Sequence, residues 1–149
     1  MVSQKCQYSI RALFELAKRN GGGPVKISDI AESQAIPIRF LEIILNQLRS
    51  AGFVQSRRGA SGGYFLARQP KDITVGEIIR FVEGPLAPVA CMTDKPETEC
   101  SLNGHCAFIG MWRQIAAATS GVYDSTSFQN LVDNAAASTN KESPFTYSI

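Results

Sequence analysis

Three cysteines, Cys91, Cys100 and Cys106, fall within sixteen residues of one another, in a stretch that also holds Pro88, Pro96 and Gly104. Thiolates are the usual ligands of iron–sulfur clusters and of structural zinc, and a backbone rich in turn residues can wrap a compact inorganic group. The fourth cysteine, Cys6, stands far away, and His105 is the only histidine. One histidine excludes most catalytic triads and histidine-rich metal centres. There is no Walker loop, no dinucleotide fingerprint and no close Cys-x-x-Cys pair. The chemistry offered is metal or redox sensing, and the chain is not expected to be an enzyme.

A second constellation is basic. Arg57-Arg58-Gly59-Ala60-Ser61-Gly62-Gly63 separates two β-type runs, Phe53-Val54-Gln55-Ser56 and Tyr64-Phe65-Leu66-Ala67. A plain hairpin needs two or three turn residues, and this tip spends about seven. Its small residues let the backbone approach a duplex, where an arginine can enter a narrow minor groove. Upstream, Pro37, Ile38, Arg39, Phe40 and Glu42 open a helix with an apolar stripe of Phe40, Leu41, Ile44, Leu45 and Leu48. At the N-terminal end of a helix lying in the major groove, Arg39 could fork to guanine or clamp a phosphate, and Glu42 could accept from a cytosine amine. Phe40 either touches a thymine methyl or turns inward to the core.

Charge agrees with a polyanionic partner. Residues 1–72 carry 11 Lys/Arg and 5 Asp/Glu, a net +6, whereas residues 73–149 carry 4 and 8, a net −4. Phosphate neutralisation and counterion release favour the basic half as the DNA-binding part.

The elements that must position these groups follow from hydrophobic period. Tyr8, Ile10, Leu13, Phe14 and Ala17 predict a helix from about Gln4 to Arg19, stopped by Asn20-Gly21-Gly22-Gly23-Pro24. Ser28 is the expected N-cap of a short helix ending near Gln34. The striped helix follows and Gly52 ends it. After the hairpin, Thr74 caps a helix carrying Val75, Ile78, Ile79 and Val82, ended by Gly84-Pro85. Helical period resumes at Cys106, with Phe108, Trp112 and Ile115 on one face, and a further short helix is expected around Phe128 to Val132. From Asn134 the chain reads as a flexible tail, with Phe145 and Tyr147 as docking candidates. The fold class is mainly α with a small β-hairpin wing: a winged helix-turn-helix over 1–84, a cysteine-bearing loop over 85–105, a long helix and a short following one over 106–133, and a tail over 134–149.

Hydrophobic residues at 44% and charged residues at 19% are a globular composition. No apolar run reaches the roughly 18 residues of a membrane span, and no apolar signal core follows Met1. A cytoplasmic protein is expected, where disulfides are rare and four cysteines read as ligands, sensors or buried thiols.

These residues resemble a known group. Tyr8-x-x-x-Ala12-Leu13, Ile30-Ala31, Phe40-Leu41-Glu42-x-x-Leu45-x-x-Leu48-Arg49, Gly52-Phe53-Val54, Arg58-Gly59-x-x-Gly62-Gly63-Tyr64-x-Leu66 and Val75-Gly76-Glu77-Ile78-Ile79 are similar to the Rrf-type winged-helix transcription regulators, the group of IscR, NsrR, RirA and CymR. The resemblance covers roughly residues 1–133. It implies a homodimer built on the helix after the cysteines, reading a two-fold operator in double-stranded DNA and acting mostly as a repressor. It places Ser28, Pro37, Arg39, Phe40, Glu42 and the wing Arg57, Arg58, Gly59, Ser61, Gly62 and Gly63 at DNA-facing positions, with Arg58 as the minor-groove arginine.

The same resemblance makes Cys91, Cys100 and Cys106 ligands of an iron–sulfur cluster that senses iron, redox or nitric oxide status. The fourth ligand stays open. Members resembling IscR carry a histidine three residues after the last cysteine, where this chain has Ile109. Those resembling NsrR use an aspartate near the start of the first helix, where this chain has Gln7. Cys6, Gln7, His105 or an open iron site are the alternatives, and Cys6 reads equally as a small hydrophobe. Three cysteines without the matching histidine favour a 4Fe-4S over a 2Fe-2S cluster. Zinc binding, thiol oxidation, or control by a protein partner without a cluster are the competing readings.

Overall fold

The computed structural model describes residues 2–93, 100–102 and 105–139. Pro96, Gly104 and the tail beyond residue 139, with Phe145 and Tyr147, lie outside them. Helix α1 (Gln4–Lys18) starts at Ser3, whose hydroxyl accepts from the Cys6 amide at 3.2 Å. It is the central post of the fold: helices α2 (Ile27–Gln34), α3 (Ile38–Ser50), α4 (Val75–Glu83) and α6 (Phe128–Thr139) all pack on it. The buried core joins Leu13 and Leu16 of α1, Ile30 of α2, Leu41, Ile44, Leu45 and Leu48 of α3, Ile78 of α4 and Phe128 of α6.

The turn between α2 and α3 is tight. Ala35 takes a left-handed conformation, φ 48°, which lets Ile36 drop into the core, and Pro37 opens α3. Ser28 does not cap α2, contrary to expectation. The helix begins two residues earlier than a Ser28 cap would have it, at Ile27, with Lys26 as the N-cap residue, so Ser28 sits inside the first turn, exposed. Thr74 does cap α4: its hydroxyl accepts from the Glu77 amide, and the Glu77 carboxylate accepts from the Thr74 amide at 2.9 Å.

Strands β1 (Val54–Arg57) and β2 (Gly63–Leu66) form the antiparallel wing, with Arg57 opposite Gly63 as its last rung. The tip is therefore the five residues 58–62, not seven. Val25 adds a short third bridge, exchanging two 2.8 Å backbone hydrogen bonds with Tyr64.

After α4 come a short 3-10 turn at Ala90–Met92 and helix α5 (Ile109–Ser125), about 25 Å long. It starts three residues later than the resumed periodicity suggests. None of its residues is buried within the chain. Helix α6 departs further from expectation, since it continues to Thr139 through residues read as tail. It packs on α1. The Phe128 amide donates to Ile73 and the Val75 amide to Thr126, which stitches the start of α6 to the start of α4. No helix among the described residues is long and apolar enough to cross a membrane.

Candidate nucleic-acid interface and cysteine segment

On α3 the buried Leu41, Ile44, Leu45 and Leu48 define the inner face, and Arg39, Phe40 and Glu42 are all exposed. Phe40 is 60% exposed, so the inward alternative for its ring is excluded. Pro37 is exposed at the helix start, and Ser28 is exposed at the start of α2, where unpaired amides favour an anion. One position escaped the sequence reading. Ile43 is 56% exposed in the middle of the outer face, a position to which the sequence reading gave neither a core nor a DNA-facing role.

The wing is set against α3 by Arg49, another residue without an assigned role. Its guanidinium donates to Asn46 Oδ1 at 3.1 Å and to Ser56 Oγ of β1 at 3.0 Å. Ion pairing cannot be what holds Arg39, Arg57 or Arg58, since none forms a salt bridge among the described residues. Arg57 lies over the Phe65 ring at 6.0 Å, and Arg58 and Ser61 project into solvent. Glycine is required at two wing positions. A Cβ on Gly62 would enter the Arg57 carbonyl and come within 2.8 Å of the Arg58 carbonyl carbon; one on Gly63, at φ 150°, would strike the Val25 backbone. Gly59 is left-handed, φ 107°, and its carbonyl accepts from the Gly62 amide at 3.0 Å. Close backbone packing thus shapes the tip, and its arginines remain free to meet phosphate.

The cysteines divide into two kinds. All four are free thiols. Cys91 is exposed in the 3-10 turn, Cys100 is half-buried, and Cys106 is half-buried just ahead of α5, its carbonyl accepting from the Ile109 amide. His105 is exposed and its amide donates to Leu102. Their thiols suit a soft metal in type, yet among the described residues no three His, Cys, Asp or Glu side chains converge on a common point. The expected ligand set thus lies on one segment, with no such convergence among the described residues.

Cys6 is of the other kind. It is fully buried with Val75 and Ile79, and burial, with the Glu83 carboxylate beside it, pushes its thiol up to about 11. Within the single chain its position is that of a small core hydrophobe behind α4, the second of the two readings its sequence offered. Gln7 is exposed, with its amide nitrogen donating to the Val2 carbonyl at 3.1 Å.

Two charged tethers hold the body together. Glu15, fully buried, accepts from Arg19 Nε at 2.6 Å and Gln34 Nε2 at 2.7 Å, with Lys18 at 3.2 Å. Burial alone would raise its carboxyl, but these donors outweigh it and hold the group below the usual carboxylate range. Arg19 also donates to Ser33 at 2.9 Å, so the network ties α1 to the last turn of α2. The second tether joins Arg80 of α4 to Asp124 of α5.

Residues 2–134 match the Rrf2 family, described as an iron-dependent transcriptional regulator. The chain is 38% identical over 130 residues to the HTH-type transcriptional regulator CymR of Bacillus subtilis (strain 168), covering 87% of this chain and 88% of that protein. It is 31% identical over 133 residues to the regulator IscR of Photorhabdus laumondii, covering 89% and 79%. Among solved structures, CymR, the global cysteine regulator of B. subtilis, superposes with a TM-score of 0.73 at 36% identity, over 90% of this chain and 97% of that one. The T. potens IscR structure gives 0.71 at 37% identity, over 91% and 88%.

Proposed function

Because the chain belongs to the Rrf2 family of winged-helix DNA-binding transcriptional regulators, we propose that it is a homodimeric repressor whose hold on a two-fold operator is controlled by an iron–sulfur cluster on Cys91, Cys100 and Cys106. The observation that carries this reading is the placement of the three thiols. They are free, reachable from solvent, and lie on the segment joining α4 of the DNA-binding body to α5. A cluster there would supply a redox- and iron-sensitive charge. The chain's own residues do the rest: Arg39 and Arg58 grip the duplex, and the Arg80–Asp124 tether passes a change in the cysteine segment to α4. The outward apolar stripe of α5 supports the dimer. Phe108, Met111, Ile115 and Val122 recur at helical spacing and are all exposed in the single chain.

The test is anaerobic purification with iron and sulfide assay, followed by a footprint on its own upstream DNA with and without the reconstituted group. Cysteine-dependent iron with matching sulfide, four of each for a 4Fe-4S cluster or two for a 2Fe-2S cluster, and an operator affinity that changes by about 5–150-fold with occupancy, are expected. Full regulation by a colourless, metal-free protein would overturn the cluster. A second reading, control through the thiols themselves or through a protein partner, is favoured by their lack of convergence among the described residues. Elemental analysis and the visible spectrum separate the two.

A further inference from the structure

The outer face of α3 carries a feature that neither a core nor a phosphate grip explains. At 3.6 residues per turn, Arg39, Ile43 and Asn46 lie along the middle of the face opposite the buried Leu41, Ile44, Leu45 and Leu48, and Phe40 lies one step round from Ile43. Ile43 and Phe40 are both more than half exposed. Neither side chain has a hydrogen-bond donor or acceptor, so against the polar edge of guanine, adenine or cytosine they would leave base groups unpaired. The 5-methyl of thymine is the apolar group that the major groove presents.

We infer that Ile43, with Phe40 beside it, reads thymine methyl groups in the operator half-site, next to the base or phosphate that Arg39 takes. The inference rests on the DNA-binding reading and adds the base class to it. Duplex DNA is the occupant that the surroundings favour. Arg39 shares the face, Arg49 ties the same helix to the arginine-bearing wing, and residues 1–72 carry a net +6. The two apolar residues then act in specificity: they reject bases, and the arginines hold the backbone.

The full chain, selected against a randomised duplex pool, should enrich half-sites with thymines at fixed distance from one another. Replacing those thymines singly with deoxyuridine removes only the methyl. The wild-type protein should lose about fourfold in affinity for each methyl that Ile43 or Phe40 touches, the equivalent of one buried methyl-sized group. Ile43→Ala should bind the thymine and uracil duplexes alike at one of those positions, and Ile43→Val should keep part of the difference. This cycle isolates the contact from any general weakening. Selected duplexes that bind equally well with uracil throughout would overturn the inference and leave DNA binding standing. A wild-type protein that enriches no duplex overturns the DNA-binding reading and this inference together. An Ile43→Ala protein that changes its oligomeric state without DNA would make the face a protein interface, and the inference would fail.

Discussion

Arg80 closes both guanidinium nitrogens on the Asp124 carboxylate, Nη1 to Oδ1 at 2.6 Å and Nη2 to Oδ2 at 2.8 Å, directly above the bare backbone of Gly76. A Cβ at residue 76 would meet Asp124 Oδ1 first and Arg80 Nη1 at 2.9 Å, so the glycine leaves room for the fork. The pair is half-exposed, where an ion pair adds little to global stability. Its two parallel hydrogen bonds nevertheless set direction, fixing α5 against α4. The guanidinium holds the Asp124 carboxyl below the usual carboxylate range.

Gly76→Ala separates these roles. Alanine favours the helix over glycine by about 1 kcal/mol, and the atoms it would strike are the ends of two flexible side chains. The fork should give way and the fold should hold. The expected outcome is an unfolding midpoint unchanged or slightly raised, with faster amide exchange along α5. Asp124→Asn, with Gly76 in place, should reproduce the exchange change. A lowered midpoint for Gly76→Ala would show that the fork cannot yield.

Glu15 anchors the first helix of the helix-turn-helix through Gln34, so Glu15→Ala strands Gln34 and releases Arg19 and Lys18. A loss of about 1–3 kcal/mol is expected, below that of a fully buried pair because both cations reach solvent. The sign of its pH dependence follows from its lowered carboxyl. The network's contribution is complete above the ordinary carboxylate value and fades as pH falls through the depressed one. Urea midpoints from neutral to acidic pH should show wild type and variant converging at the acid end, and parallel curves would refute the assignment.

Cys6 should be chemically silent in the native state. With its thiol near 11, about one molecule in a thousand is thiolate at pH 8. Iodoacetamide on the metal-free protein should label Cys91, Cys100 and Cys106 quickly, and Cys6 only in denaturant, as read by peptide mass spectrometry. Because its value is raised above that of a free thiol, its stabilising effect is present below the free value and lost as pH climbs through about 11. Native labelling at Cys6 would mean that the pocket behind α4 opens.

Ile115 sits within the outward stripe of α5 and is 40% exposed. Ile115→Glu costs a solvated single chain little, but would bury an unpaired charge between two such helices. The variant should sediment as a folded monomer with weakened operator binding, and a dimer that survives it would place the subunit contact elsewhere.

The parts legible from sequence are those set by local period and local chemistry. The α3 stripe, the Thr74–Glu77 cap and the arginine-bearing wing are each encoded within a dozen residues, and each is present. What escaped depends on partners distant in sequence. Nothing near Phe128 announces that it joins the core of Leu13 and Leu16, so the sequence shows a helix there but not the core it completes. Ser28 is a good capping type, but the N-cap falls two residues before it, at Lys26. Ile43 went unread because an isoleucine looks like core material, although about 100° of helical rotation from buried Ile44 turns it to the outer face. Cys6 has the chemistry of a ligand, and only the packing of α4 against α1 shows it sealed.

The wing allows its shape and its charge to be tested apart. The exposed Arg58 side chain makes no hydrogen bond or ion pair among the described residues, so Arg58→Ala should change stability by no more than about 0.5 kcal/mol. Its effect should appear on DNA: weaker binding, and a slope of log affinity against log salt shallower by about one per lost phosphate contact. Gly63→Ala is the converse. Its new Cβ meets the Val25 backbone, which unlike a side-chain end cannot swing aside, and the bridge that carries Tyr64 must break. That overpacking should cost about 1–3 kcal/mol, and once operator affinity is corrected for the folded fraction its salt slope should match the wild type. If Arg58→Ala leaves both affinity and slope unchanged, the wing does not grip DNA and its glycines serve the hairpin alone.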